Sequence, residues 1–145
     1  MQTKLIHEAG GKRTFAVILQ SADEAMSCLR AFATRERIGG AQVTAIGAFR
    51  SAKLAFFDWE AKAYRPHPVE EQVEVASLVG DIAVGPDGSP SVHAHAVLGR
   101  RDGTALAGHL LEGHVRPTLE VIVTESPTHL RKVKDPESGL HLIRV

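Results

Sequence analysis

Only one stretch of this chain spaces its apolar residues as a helix does; almost everything else carries the two-residue period of β-structure. Ala22, Ala25, Met26, Leu29, Phe32 and Ala33 recur at intervals of three and four and build one apolar face. Asp23, Ser27, Arg30, Thr34 and Glu36 take the opposite side. Ser21-Ala22-Asp23-Glu24 reads as a capping box, with Ser21 accepting from the amide three residues on and Glu24 reaching back to the Ser21 amide. Gly39-Gly40 supplies the C-terminal stop. The expected helix has about four turns.

The flanking segments alternate or form short apolar runs between turn residues. Lys4 to His7 reads as an edge strand, Gly10-Gly11 as a turn and Thr14 to Gln20 as a buried strand. Ala41 to Phe49 and Ala52 to Trp59 are expected to form a hairpin about Arg50-Ser51, and Glu60 to Pro68 a loop. Glu70 to Val84 is a long alternating strand in which Gly80 suggests a bend or bulge. Turns at Pro86-Asp87-Gly88 and Asp102-Gly103 delimit a strand from Ser91 to Leu98. Strands follow at Thr104 to Leu111 and Val115 to Thr124, then two short pieces about Asp135 to Gly139. Connections this short cannot make parallel crossovers. The expected fold is α+β: one helix packed on a mainly antiparallel sheet of seven or eight strands. A chain of 145 residues without a linker or repeat reads as one domain over 1–145.

Composition excludes several functions. With 17 basic against 17 acidic residues, there is no basic excess of the kind that autonomous nucleic-acid binders use against phosphates. With only one Trp, one Tyr and five Phe, a stacking platform for single-stranded nucleic acid is not expected. No apolar run approaches the ~20 residues of a membrane span, and the first residues lack a secretory core, so a cytoplasmic location with no membrane partner is expected. Cys28 is the single cysteine and reads as a small, half-buried residue in the helix without redox work. Neither a phosphate-binding loop nor a Gly-X-Ser-X-Gly elbow occurs.

Histidine is the exception, with eight in the chain. His93-Ala94-His95 lies in a strand, where alternation sends both imidazoles to one face. His109 follows beyond the Asp102-Gly103 turn and can reach the same patch if the two strands pair. Three histidines leave an open position on a divalent ion, which is the ligand set of a catalytic rather than a closed structural zinc site. Such a set would suit metal-assisted hydrolysis. The alternative is that these are ordinary hydrogen-bonded or solvent-facing strand residues. His114 could turn toward the same patch but reads as a surface or interface residue, and His7, His67, His129 and His141 stand isolated. Glu120 and Glu74 lie within apolar strands. Each is either solvent-facing or the carboxylate that would hydrogen-bond a ligand imidazole or act on a metal-bound water.

Ala45-Ile46-Gly47-Ala48-Phe49, the strand Val73 to Gly80, His93-Ala94-His95-Ala96-Val97-Leu98 before Asp102-Gly103, Gly108-His109-Leu110 and Val115 to Val121 come in order. Together they resemble the plants-and-prokaryotes conserved (PPC) domain family over about residues 3–125, leaving about 126–145 as a C-terminal extension. The resemblance implies a homotrimer built on an antiparallel sheet. In plants the domain follows AT-hooks that bind DNA, and it recruits other proteins. No Arg-Gly-Arg-Pro hook core occurs here, and Glu71-Gln72-Val73 replaces the plant Gly-Arg-Phe, so that recruitment does not carry over. The chain is more similar to stand-alone prokaryotic members, which keep the His-X-His and Gly-His motifs. That likeness implies a divalent metal, zinc first, at His93, His95 and His109. It brings no enzymatic activity with it. The other expectation is a non-enzymatic scaffold with a weak DNA or protein partner.

Overall fold

The computed structural model describes residues 1–145. Its elements are β1 (Gln2–Ala9), β2 (Lys12–Gln20), α1 (Ala25–Glu36), β3 (Gly40–Asp58), β4 (Ala63–Val69), β5 (Val73–Val84), β6 (Pro90–Gly99), β7 (Ala105–Glu125), β8 (Arg131–Lys134) and β9 (His141–Arg144). The α+β expectation holds, with nine strands. Every ladder is antiparallel except a single parallel pairing of Val84 with Arg131.

Four strands close a circuit: β3 pairs with β5, β5 with β6, β6 with β7, and β7 again with β3. Alternation then gives each strand an inward and an outward row. Val43, Leu54, Leu78, Leu98, Leu110 and Val121 point inward and are buried. The helix joins that core by the predicted face, burying Ala25, Met26, Leu29, Phe32 and Ala33. Phe32 meets Phe15 of β2 edge-on at 5.2 Å. Full burial of one such ring contributes about 1.5–3 kcal/mol. No helix is long and apolar enough to cross a membrane.

Several local expectations are corrected. The helix has 12 residues, about one turn fewer than expected, and its cap is Glu24 rather than Ser21. Ala22 has a left-handed φ of 79°, and the Asp23 carboxylate accepts from the Gln20 amide, so the chain is still turning where the capping box would begin. Glu24 accepts from the Met26 and Ser27 amides at 3.0 and 2.8 Å. The helix stops at Arg37 in the left-handed region, not at the glycines. Gly39 and Gly40 instead admit the C-terminal segment, since a Cβ on them would meet the His129 ring at 2.6 Å and the Thr128 carbonyl at 2.8 Å.

The two expected hairpin halves at 41–59 form one strand, β3, and the two segments at 104–124 form β7. Both are long enough to bend, and register shifts between them near Gly47, Phe49 and Lys53 absorb the curvature that a hairpin turn would otherwise supply. The expected loop at 60–68 is the edge strand β4, whose two prolines sit where no second neighbour needs an amide donor. Gly80 is not a bulge. It pairs in register with Val43 and Ala94, and a Cβ there would collide with the His93 carbonyl oxygen.

Candidate metal centre

Two tight turns assemble the histidines. The hairpin about Asp102 pairs β6 with β7 so that His95 stands directly opposite His109. His93, two residues back along β6, projects to the same face. The ring centroids lie 5.1 Å (His93–His95), 5.0 Å (His93–His109) and 5.5 Å (His95–His109) apart. One ring nitrogen from each lies within 4.8 Å of those of the other two. Tetrahedral nitrogen ligands on zinc are about 3.4 Å apart, so modest side-chain rotation closes the set on one ion.

The surroundings favour neutral, ligating imidazoles. Burial, then the charges of His93, His95 and Lys132, push the His109 ring down to about 4. Burial, then His93, lowers His95 as well. Tyr64 of β4 stacks on His109 at 4.5 Å and 23°, limiting its rotation. His109 Nδ1 is buried with no hydrogen-bond partner. A buried imidazole nitrogen left in that state is costly unless a ligand or ion satisfies it. The three residues therefore fit a divalent ion.

A carboxylate the sequence reading passed over stands beside them. Asp81 lies opposite His93 on β5, its Oδ2 3.4 Å from His93 Nδ1 and its Oδ1 2.9 Å from Lys132 Nζ. Burial alone would raise the Asp81 carboxyl, but the His93 and Lys132 contacts together hold it below the usual carboxylate range. A signal for Asp81 was present: it and His93 each lie six residues from Asp87, at the centre of the Pro86-Asp87-Gly88 turn. For Tyr64 and Lys132 no local signal existed.

The other sequence candidates lie elsewhere. Glu120 is eleven residues along β7 from His109, about 36 Å of strand. Glu74 is seven residues along β5 from Asp81. These two glutamates line one shallow depression with Ile46 and Gly47, and the chain does not bring them to the histidines. His114 faces Glu112 at 3.9 Å and bridges to Glu24. His67 lies on β4, His129 packs over Gly39, and His7 and His141 are exposed on β1 and β9. Cys28 is half-buried, and burial, then the nearby Asp23 charge, raises its thiol.

The sequence profile of the Plants and Prokaryotes Conserved domain matches residues 6–127. The chain is similar to the crystal structure of a metal-containing protein from Archaeoglobus fulgidus, with 30% identity, all of both chains covered and a TM-score of 0.85. It is similar to a plant- and prokaryote-conserved protein from Pyrococcus horikoshii (28% identity, 99% of this chain and 95% of that one, TM-score 0.85). A third likeness, to a Ralstonia eutropha protein whose assignment to DNA binding is provisional, has 30% identity over 90% of each chain and a TM-score of 0.84. No protein of curated function matches the chain.

Proposed function

The chain belongs to the Plants and Prokaryotes Conserved domain family, and from that premise we propose that it is a self-associating metalloprotein of the prokaryotic type. His93, His95 and His109 would hold one divalent ion, zinc first. The observation that carries this reading is the convergence of one ring nitrogen from each of the three histidines within 4.8 Å; the buried, unpartnered Nδ1 of His109 is consistent with it. The Archaeoglobus relative, a metal-containing protein by description, supports it. When bound, such an ion would supply Lewis-acid chemistry at an open position. The chain's own residues orient the ligands: Tyr64 packs on His109, and Asp81 faces His93.

Metal analysis of protein purified without a histidine tag tests the assignment. About one equivalent of metal is expected, and it is lost in His93→Ala/His95→Ala. Stoichiometric metal surviving that double substitution overturns the ligand set.

We propose that the chain self-associates as a trimer, a reading supported by an apolar patch beside the histidines. Ile46, Val79 and Ile122 are 61%, 52% and 40% exposed on the outward row. Thr44 pairs with both Val79 and Ile122, so the patch is continuous across three strands, and Val79 lies opposite His95. Exposed apolar surface of this kind marks contact sites. Light scattering of Ile122→Lys should report monomer where the parent is a trimer.

A second reading, DNA association, is favoured by the provisional assignment of the Ralstonia relative. The balanced charge of 17 against 17 opposes it in the single chain. A gel shift that weakens steeply with salt would support it.

A further inference from the structure

Asp81 joins two groups that the chain brings from different places. One carboxylate oxygen lies 3.4 Å from His93 Nδ1 and the other 2.9 Å from Lys132 Nζ. The Lys132 side chain is 5% exposed, and lysine is buried so deeply almost only when its charge is paired. Lys132 comes in on β8, outside the family-matched residues 6–127. Backbone bonds fix that segment beside the sheet: the Val84 N–H donates to the Leu130 carbonyl at 2.8 Å, and the Leu130 N–H to Gly39 at 2.9 Å.

A neutral imidazole has one N–H and one lone pair, and an ionised carboxylate can only accept. With Nδ1 toward Asp81, the His93 proton belongs on Nδ1 and the lone pair on Nε2. We infer that Asp81 and Lys132 are positioning residues for His93: the carboxylate sets the tautomer and direction of the ring so that Nε2 is the ligating atom, and the C-terminal strand, through Lys132, holds the carboxylate in place. The inference rests on the metal reading above and deepens it. It makes the C-terminal extension a working part of the centre.

The test uses the full chain in two measurements. Nitrogen NMR of histidine-labelled, metal-free protein at about pH 8, above the range of free histidine, reads the tautomer. The expected result is Nδ1–H at His93. Replacing the ion pair by apolar residues of similar size, Asp81→Leu/Lys132→Met, avoids stranding a buried charge. In that variant His93 should shift toward the Nε2–H form. Its Co2+ affinity, measured by competition with a chromophoric chelator, should fall by about 10–100-fold. A parent His93 that carries its proton on Nε2 overturns the inference without any variant having to fold. A folded double variant with unchanged tautomer and Co2+ affinity overturns it as well. If the parent binds neither Co2+ nor Zn2+, the metal reading falls, and the His93 tautomer still decides whether Asp81 positions the ring.

Discussion

His95 on β6 and His109 on β7 oppose each other in the hairpin ladder, their rings 5.5 Å apart and inclined at 80°. Residues paired across antiparallel strands share a face, so the backbone itself, rather than a choice of rotamer, brings the two imidazoles together. His93 completes the triangle from the same strand as His95. A ligand set held on strands is stiffer than one held on loops.

An ion bound by all three rings, as proposed, would tie β6 to β7, so removing it should lower stability. A ligand that binds only the folded state contributes about 2.7 kcal/mol at a hundred times its Kd. Thermal melts with and without a chelator should show a lower Tm for the stripped parent. His109→Ala should melt at one temperature in both conditions. A parent insensitive to chelation contradicts the metal assignment.

Glu24 links the helix to β7, since its carboxylate caps α1 and also accepts from the Gly113 amide at 3.0 Å. Burial raises its carboxyl, but the bonds from Ser27, Gly113 and Met26 outweigh that and hold it below its ordinary value of 4.5. A carboxyl depressed in the folded state contributes stability that is present above its unfolded value and lost as pH falls through its folded value. Glu24→Gln should therefore cost about 1–2 kcal/mol at neutral pH. The gap from the parent should close below pH 4.5, as followed by urea melts across pH. A gap independent of pH would show that the charge plays no part.

The Asp81–Lys132 pair should respond asymmetrically. Asp81→Ala leaves a buried ammonium without its partner and should cost about 3–5 kcal/mol. Lys132→Met leaves a carboxylate that is 28% exposed and still in contact with His93, so the loss should be smaller. The double substitution should be more stable than Asp81→Ala alone. Chemical denaturation of the four proteins checks the cycle, and strictly additive losses would refute the coupling.

Gly80→Ala should damage both the fold and the centre. Its Cβ would press on the His93 carbonyl, and that backbone cannot move without displacing β6. A loss above about 2 kcal/mol is expected, together with weaker Co2+ binding. Parental stability and affinity would show that the β5–β6 contact relaxes freely.

Much of this molecule was legible from spacing. The helix face from Ala25 to Ala33, the Asp87 and Asp102 turns and the shared face of His93 and His95 all follow from short-range periodicity. Longer strands misled the reading where polar pairs such as Arg50-Ser51 resembled a turn; only the curvature of β3 against β7 shows them to be mid-strand. Glu120 and Glu74 were drawn in by residue type; two separate strands at 104–111 and 115–124 could have folded Glu120 back toward His109, and the single strand β7 carries it away instead.

Residue order alone established one helix among antiparallel strands and a histidine pair with a third within reach, because turns and alternation act over a few residues. Tertiary structure alone decided that Tyr64 covers His109 and that Lys132 is buried against Asp81. Those contacts join segments far apart in the chain, and they form only when the circuit of β3, β5, β6 and β7 closes and β8 docks beside β5. Local propensity carries no information about such closure; burial and charge pairing across the assembled sheet do.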